Sequence, residues 1–296
     1  MAKTVLLTGA TGLIGRQTIK PLQELGYNVL AGSRSGKDVD GTPGVALDIL
    51  DPEQTKQVFA SGLITELVHL AWHDHPRDRW TSPANLDWAA ATLRLVTAFA
   101  KAGGKRVVAA GSCAEYEWGD HPLSEDSPLK QNSLYGSAKA TAGLGLINAA
   151  PSLGVSLAWA RIFFCYGPGE PKGRLLGDLI KGIAAGETVD CTDGEQERDF
   201  LHTADIGRAL ASILASSAEG PLNVASGRAT PVKDLIAEVA GQMGHPDRVN
   251  LGARPRPEND PKRVVADISK LRQDTDFKPL FDIKSGVADV LKRDAP

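Results

Sequence analysis

Short apolar runs, separated by segments of helical spacing, fill the first half of the chain. Residues 5–8, 29–31, 44–47, 67–71, 106–110 and 155–162 read as strands, because short apolar runs suit strands covered on both faces. After the first of them, Leu13, Ile14, Ile19, Leu22 and Leu25 make one helical face that Gly26 closes. Pro21 is expected to bend this helix or to lie on its outer side. Asp51 before Pro52 has the form of an N-cap with proline at the first helical position, and it predicts a helix to about residue 60. Longer helices are expected over about 83–102 and 133–150. Strand and helix alternate with short connections, which predicts a doubly wound parallel α/β sheet with helices on both faces. From about residue 167 the alternation breaks, at Gly167-Pro168-Gly169, a glycine-rich helix over 174–186 and the run Arg254-Pro255-Arg256-Pro257. The expected organisation is a sheet domain of residues 1–166 plus 199–227 and a smaller, mixed α/β region of 167–198 plus 228–296.

The first strand leads directly into Thr8-Gly9-Ala10-Thr11-Gly12-Leu13-Ile14-Gly15. A strand that turns through glycine into a helix aims free helix N–H groups above the turn, where a pyrophosphate can sit. Gly9 allows the turn, Gly12 lets the phosphate approach and Gly15 lets helix and strand pack closely. This is a Rossmann-type dinucleotide motif, and ligands of such sheets lie beyond the carboxyl ends of the strands. Those ends carry Ser33 and Arg34, Asp48 and Ile49, Leu70, Ala71 and Trp72, and Ser112 with Cys113. In NAD sites an acidic side chain bonds the ribose 2′-hydroxyl. Here the second strand ends without a carboxylate, and Ser33 and Arg34 suit a 2′-phosphate. The expected cofactor is NADP(H), with Arg16 adding positive potential. Asp48 is expected either to accept from the adenine amino group or to serve its own loop.

The chain has 296 residues, 42% of them hydrophobic, and a net charge of −3. No broad basic face is expected, which argues against a nucleic-acid partner. No apolar run approaches the ~20 residues of a membrane helix, and a core strand begins almost at once, so no cleaved signal is expected. Three widely spaced cysteines, Cys113, Cys165 and Cys191, fit reduced thiols in a cytoplasmic protein. His69, His73 and His75 come nearest to a metal-ligand cluster, and they read as loop or packing residues.

Tyr135 and Lys139 stand four residues apart, on one face of an expected helix. The ammonium favours the phenolate, which equips Tyr135 for proton transfer. Ser112, at a strand end, can hydrogen-bond the same substrate oxygen. With these residues the whole chain resembles an extended short-chain dehydrogenase/reductase of the nucleotide-sugar epimerase/dehydratase superfamily. The resemblance is carried by the glycine motif, Val68-His69-Leu70-Ala71, Gly111-Ser112-Cys113-Ala114-Glu115-Tyr116, the Tyr135/Lys139 pair, residues 161–170, residues 198–205, Leu222-Asn223-Val224-Ala225-Ser226-Gly227 and residues 266–270. It implies catalysis by Ser112, Tyr135 and Lys139, with the last two also on the cofactor. It also implies a substrate site built from Ser112, Cys113, Phe164, Arg174, Arg198 and one of Arg254 or Arg256, the arginines facing a diphosphate, with Arg256 the preferred choice. A homodimer is implied through the helices over 83–102 and 133–150, where Leu86, Ala90, Leu93, Thr97, Ala140 and Leu144 are expected either to supply the seam or to face the sheet.

Two departures from the family pattern narrow the function. Cys113 and Ala114 stand where 4,6-dehydratases carry Asp and Glu, so water elimination lacks its acid and base. Phe164 stands where the family usually has a substrate-holding Asn. The leading expectation is NADPH-dependent reduction of a nucleotide-linked 4-keto-6-deoxy sugar. An NAD-dependent nucleotide-sugar 4-epimerase is the alternative, and a non-catalytic NADP-sensing protein a third. Phe164 keeps open a ketone substrate without a nucleotide.

Overall fold

The computed structural model describes residues 2–73, 78–258 and 260–294. The elements run β1 (Thr4–Thr8), α1 (Leu13–Glu24), β2 (Asn28–Ser33), β3 (Gly44–Ala46), α2 (Pro52–Phe59), β4 (Ile64–His69), α3 (Ala84–Lys101), β5 (Arg106–Ser112), α4 (Leu134–Leu153) and β6 (Ser156–Ile162). There follow β7 (Phe164–Tyr166), α5 (Leu175–Ala184), β8 (Val189–Asp190), β9 (Glu197–Arg198), β10 (Phe200–His202), α6 (Thr203–Ala215), β11 (Gly220–Val224), β12 (Thr230–Pro231), α7 (Val232–Gln242), β13 (Val249–Asn250), β14 (Arg263–Val264), α8 (Ser269–Asp274) and α9 (Ile283–Arg293).

Seven strands form one parallel sheet in the order β11-β6-β5-β4-β1-β2-β3. The chain winds from β1 outward to β3, then returns to the other side of β1 and winds to β11. This reversal opens a crevice beyond the carboxyl ends of β1 and β4. Successive side chains of a strand point to opposite faces, and the core divides accordingly. Val5, Leu7, Val68, Val108 and Ala158 pack with Ile19 and Leu22 of α1 and Ile206, Leu210 and Ile213 of α6. Leu6, Leu67, Val107 and Leu157 pack with Phe59, Leu95, Phe99 and Leu146 of α2, α3 and α4. A third cluster joins Leu176 and Leu179 of α5 to Leu235, Val239 and Val290 of α7 and α9.

Several boundaries differ from the sequence reading for local reasons. α1 runs through Pro21 to Glu24, and Leu25 follows its end, 51% exposed, so it does not share the buried face. β4 begins at Ile64, which pairs beside Thr4, and it ends at His69. α4 continues past Pro151 to Leu153 and stops at Gly154 in the left-handed conformation. Asp51 caps α2 as expected, accepting from Glu53 and Gln54 N–H groups.

Candidate active site

The glycine turn has the shape its sequence demands. Gly9 lies at φ 72°, and a Cβ there would sit 2.8 Å from the Ala71 amide nitrogen. A Cβ at Gly15 would collide with the Gly9 carbonyl oxygen. Gly12 precedes α1 with no side-chain cap and no acidic residue in the first turn, so the helix N-terminus keeps its donors and its positive pole for a ligand. Thr11 is exposed beside it, and Leu13 and Ile14 are half-buried.

At the end of β2, Ser33 Oγ lies 3.3 Å from Ser35 Oγ. Arg34 is exposed and, among the described residues, has no ion-pair partner. Asp38, the next carboxylate, accepts from the Gly44 N–H. Arg16 differs from the expectation: it pairs with Asp40 at 2.8 Å, which offsets its charge. Asp48 accepts from the Leu50 N–H at 3.0 Å, the loop role, and Ile49 is buried.

The residues expected to react, Ser112, Tyr135 and Lys139, line one cavity between β5 and α4. Ser133 caps α4 by accepting from Gly136 N–H at 3.1 Å, and Gly136 has no room for a Cβ against the Ala114 carbonyl. Glycine at 136 therefore lets α4 lie close to the strand end that carries Ser112. Lys139 is buried, donates to the Ala110 carbonyl at 2.7 Å and holds its ammonium 3.8 Å from the centre of the Trp72 ring. Tyr135 stands edge-on to Trp80 at 5.3 Å and to Trp72 at 6.4 Å. Leu70, Trp72, Ser112, Cys113, Tyr135 and Lys139 all line a cavity of about 1360 Å³. Burial pushes the Cys113 thiol up to about 12, so it stays protonated.

The same cavity extends to Phe164, Arg174, Arg198 and Arg254. Each of the first two arginines already has a carboxylate. Arg174 Nε lies 3.4 Å from Glu170, and Arg198 pairs with Asp260 while its guanidinium rests 5.3 Å from the Phe164 ring centre. Glu170 also accepts from the Leu176 and Gly177 N–H groups, which occupies the first turn of α5. Arg256 does not line the cavity and pairs with Asp193 at 3.7 Å. Of the two, it is Arg254 that lines the cavity.

His69 is enclosed between Thr8 at 2.7 Å and Thr92 at 2.9 Å. Burial, with the Lys139 charge, lowers it to about 3. His73 lies 3.3 Å from Asp78, and His75 falls outside the described residues. Among the described residues no group of three or more His, Cys, Asp or Glu could hold a metal ion. No described helix is long and apolar enough to cross a membrane.

Sequence reasoning missed Glu115, which makes a buried ion pair with Arg161 at 2.8 Å directly beneath Ser112. The available signal was a charged residue within an otherwise small and apolar strand end.

Residues 5–225 match the NAD dependent epimerase/dehydratase family. The chain is 26% identical over 306 residues to a dTDP-4-dehydro-6-deoxy-D-allose reductase of Streptomyces bikiniensis, covering 94% of this chain and 92% of that one. It is 26% identical over 246 residues to a dTDP-6-deoxy-L-talose 4-dehydrogenase (NAD(+)) of Aggregatibacter actinomycetemcomitans, covering 79% and 90%. A UDP-N-acetylglucosamine 4-epimerase from Methanobrevibacter ruminantium M1, in complex with UDP-N-acetylmuramic acid, superposes with a TM-score of 0.87 at 24% identity, covering 99% and 98%.

Proposed function

Since the chain belongs to the NAD-dependent epimerase/dehydratase family and is thereby an NAD(P)-dependent enzyme, we propose that it is an NADPH-dependent reductase of a nucleotide-linked 4-keto-6-deoxy sugar. The observation that carries this reading is that Ser112, Tyr135 and Lys139 face one cavity that continues to Arg198 and Arg254. The glycine cradle, closed to a Cβ at Gly9 and Gly15, and the uncapped start of α1 fit a dinucleotide pyrophosphate. Arg34, exposed and without a carboxylate partner among the described residues, fits a 2′-phosphate. When bound, NADPH supplies a hydride to the keto carbon. Tyr135 protonates the oxygen, Ser112 donates a hydrogen bond to the same oxygen, and Lys139 holds the cofactor ribose and favours the phenolate once the proton has left. Cys113, kept neutral, shapes the wall and moves no proton. The chain's similarity to a keto-sugar reductase supports the class.

A second reading, reduction of a ketone without a nucleotide, is favoured by one group of observations. Phe164 lies under Arg198, and Asp260 and Glu170 already compensate two of the arginines expected on a diphosphate. NADPH oxidation with a dTDP-4-dehydro-6-deoxy sugar distinguishes the two. Turnover that is lost in Arg254→Ala and Arg198→Ala supports the nucleotide sugar, and turnover only of small ketones supports the second reading. Protein that is purified with NAD and inverts a sugar carbon without added cofactor would overturn both.

A further inference from the structure

The charged cluster beneath the end of β5 is used by no step above. Glu115 is wholly enclosed, and its carboxylate accepts from three donors: the Ser112 N–H at 2.8 Å, the Trp159 indole N–H at 2.9 and 3.1 Å to its two oxygens, and the Arg161 Nε–H at 2.8 Å. Arg161 also donates to the Tyr116 hydroxyl at 2.9 Å, and that hydroxyl donates to Asn223 Oδ1 at 2.7 Å. The cluster thus ties the turn after β5 to β6 and β11. A buried ion pair contributes little stability compared with apolar packing of the same volume. Its place suggests a different use.

Ser112 Oγ accepts from the Ala114 N–H at 3.2 Å, which engages a lone pair and leaves the hydroxyl proton free to be given away. That arrangement lasts only while residues 113–115 turn back on Ser112. The reciprocal bond of the turn is the one from the Ser112 N–H to Glu115. Gly111 has no room for a Cβ against Trp159 and Glu115, so the carboxylate is wedged directly under the strand end. Glu115 itself does not line the cavity.

The geometry points to Glu115, gripped by Arg161 and Trp159, as a positioning residue that sets Ser112 to donate its hydroxyl proton into the cavity. This rests on Ser112 acting as a donor to the substrate oxygen. A glutamine at 115 offers one acceptor oxygen and one donor group where three donors converge, so the grip must loosen. The test is a double-mutant cycle on kcat for NADPH oxidation with the dTDP-linked keto sugar. Glu115→Gln should lower kcat about 10- to 100-fold, the scale of a small misplacement of a reacting group, with substrate KM unchanged. In a Ser112→Ala background it should cost nothing further. A loss that multiplies with that of Ser112→Ala overturns the proposal. Should Glu115→Gln fail to fold, Trp159→Phe keeps a ring and removes one donor, and the same two outcomes decide. A crystal structure of Glu115→Gln needs no turnover: Ser112 Oγ should leave the Ala114 N–H, and an unmoved Oγ overturns the positioning role. Wild-type protein that leaves the keto sugar untouched tells against the substrate reading alone.

Discussion

In the proposed function, Arg34 is the residue on which cofactor choice turns. It is exposed at the end of β2 with no carboxylate partner among the described residues, and Asp38 is engaged with the Gly44 N–H. A 2′-phosphate would find a free guanidinium there and no repelling charge. Arg34→Glu should raise KM for NADPH at least about tenfold, matching the ~1.5 kcal/mol of a charge-assisted hydrogen bond, and should leave KM for NADH unchanged or lower. Steady-state kinetics with both cofactors checks this; equal effects on both would remove Arg34 from the site. His69 governs a different property. Its imidazole is lowered from 6.5 to about 3 by burial and by Lys139. Below pH 6.5 the unfolded chain takes up a proton that the folded chain refuses. Stability therefore falls with falling pH, by ~1.4 kcal/mol per unit for this group between those two values. Urea unfolding at pH 7 and pH 5 should show a drop of ~2 kcal/mol from His69, and His69→Gln should shrink the drop by that amount.

At the scale of elements, close backbone approach explains what the sequence told and what it withheld. Gly9, Gly12 and Gly15 were legible because each removes a side chain where backbone must meet backbone or ligand. A Cβ at Gly15 meets the Gly9 carbonyl and Ala10 Cα, and no rotamer can relieve that. Gly15→Ala should lower stability by ~2–4 kcal/mol and abolish NADP(H) binding. Gly241→Ala, on the exposed side of α7 with nothing within 4 Å, should raise stability by ~0.5–1 kcal/mol. Thermal unfolding of the two variants compares them directly. The periodicity also located α1 to α4 and all seven sheet strands except β11, which was legible only as a return of 199–227 to the sheet. What it could not reach depends on partners distant in sequence. Glu115 stands in the stretch 111–116 without a visible partner until Arg161, forty-six residues on, is seen beside it. Arg254 and Arg256 are equivalent in a proline-rich run, and only the fold puts one at the cavity and the other against Asp193.

For the whole molecule the open matter is the second protomer that the family resemblance implies. α3 and α4 pack together within one chain, where Leu93 covers Gly145 and Ala140 is buried. Ala140 is therefore spent inside the protomer and cannot join a seam, the second of the two expectations for these residues. Thr97 is half-buried and bonds the Leu93 carbonyl. Leu86, 56% exposed, and Leu144, 47% exposed, remain on the outer side together with Ala90. Two such helix pairs related by a twofold axis would bring these leucines into one apolar strip, each residue meeting its counterpart's surface. Since both side chains already face water, a charge at either place costs the isolated chain little, within ~0.5 kcal/mol. In a dimer the same charge would be buried opposite its own copy, which is expensive. Leu144→Glu should accordingly sediment as a monomer with an unchanged unfolding midpoint at low protein concentration, while the wild type sediments as a dimer. A wild type that is monomeric throughout the micromolar range would place these leucines among the scattered apolar residues that any protein surface carries.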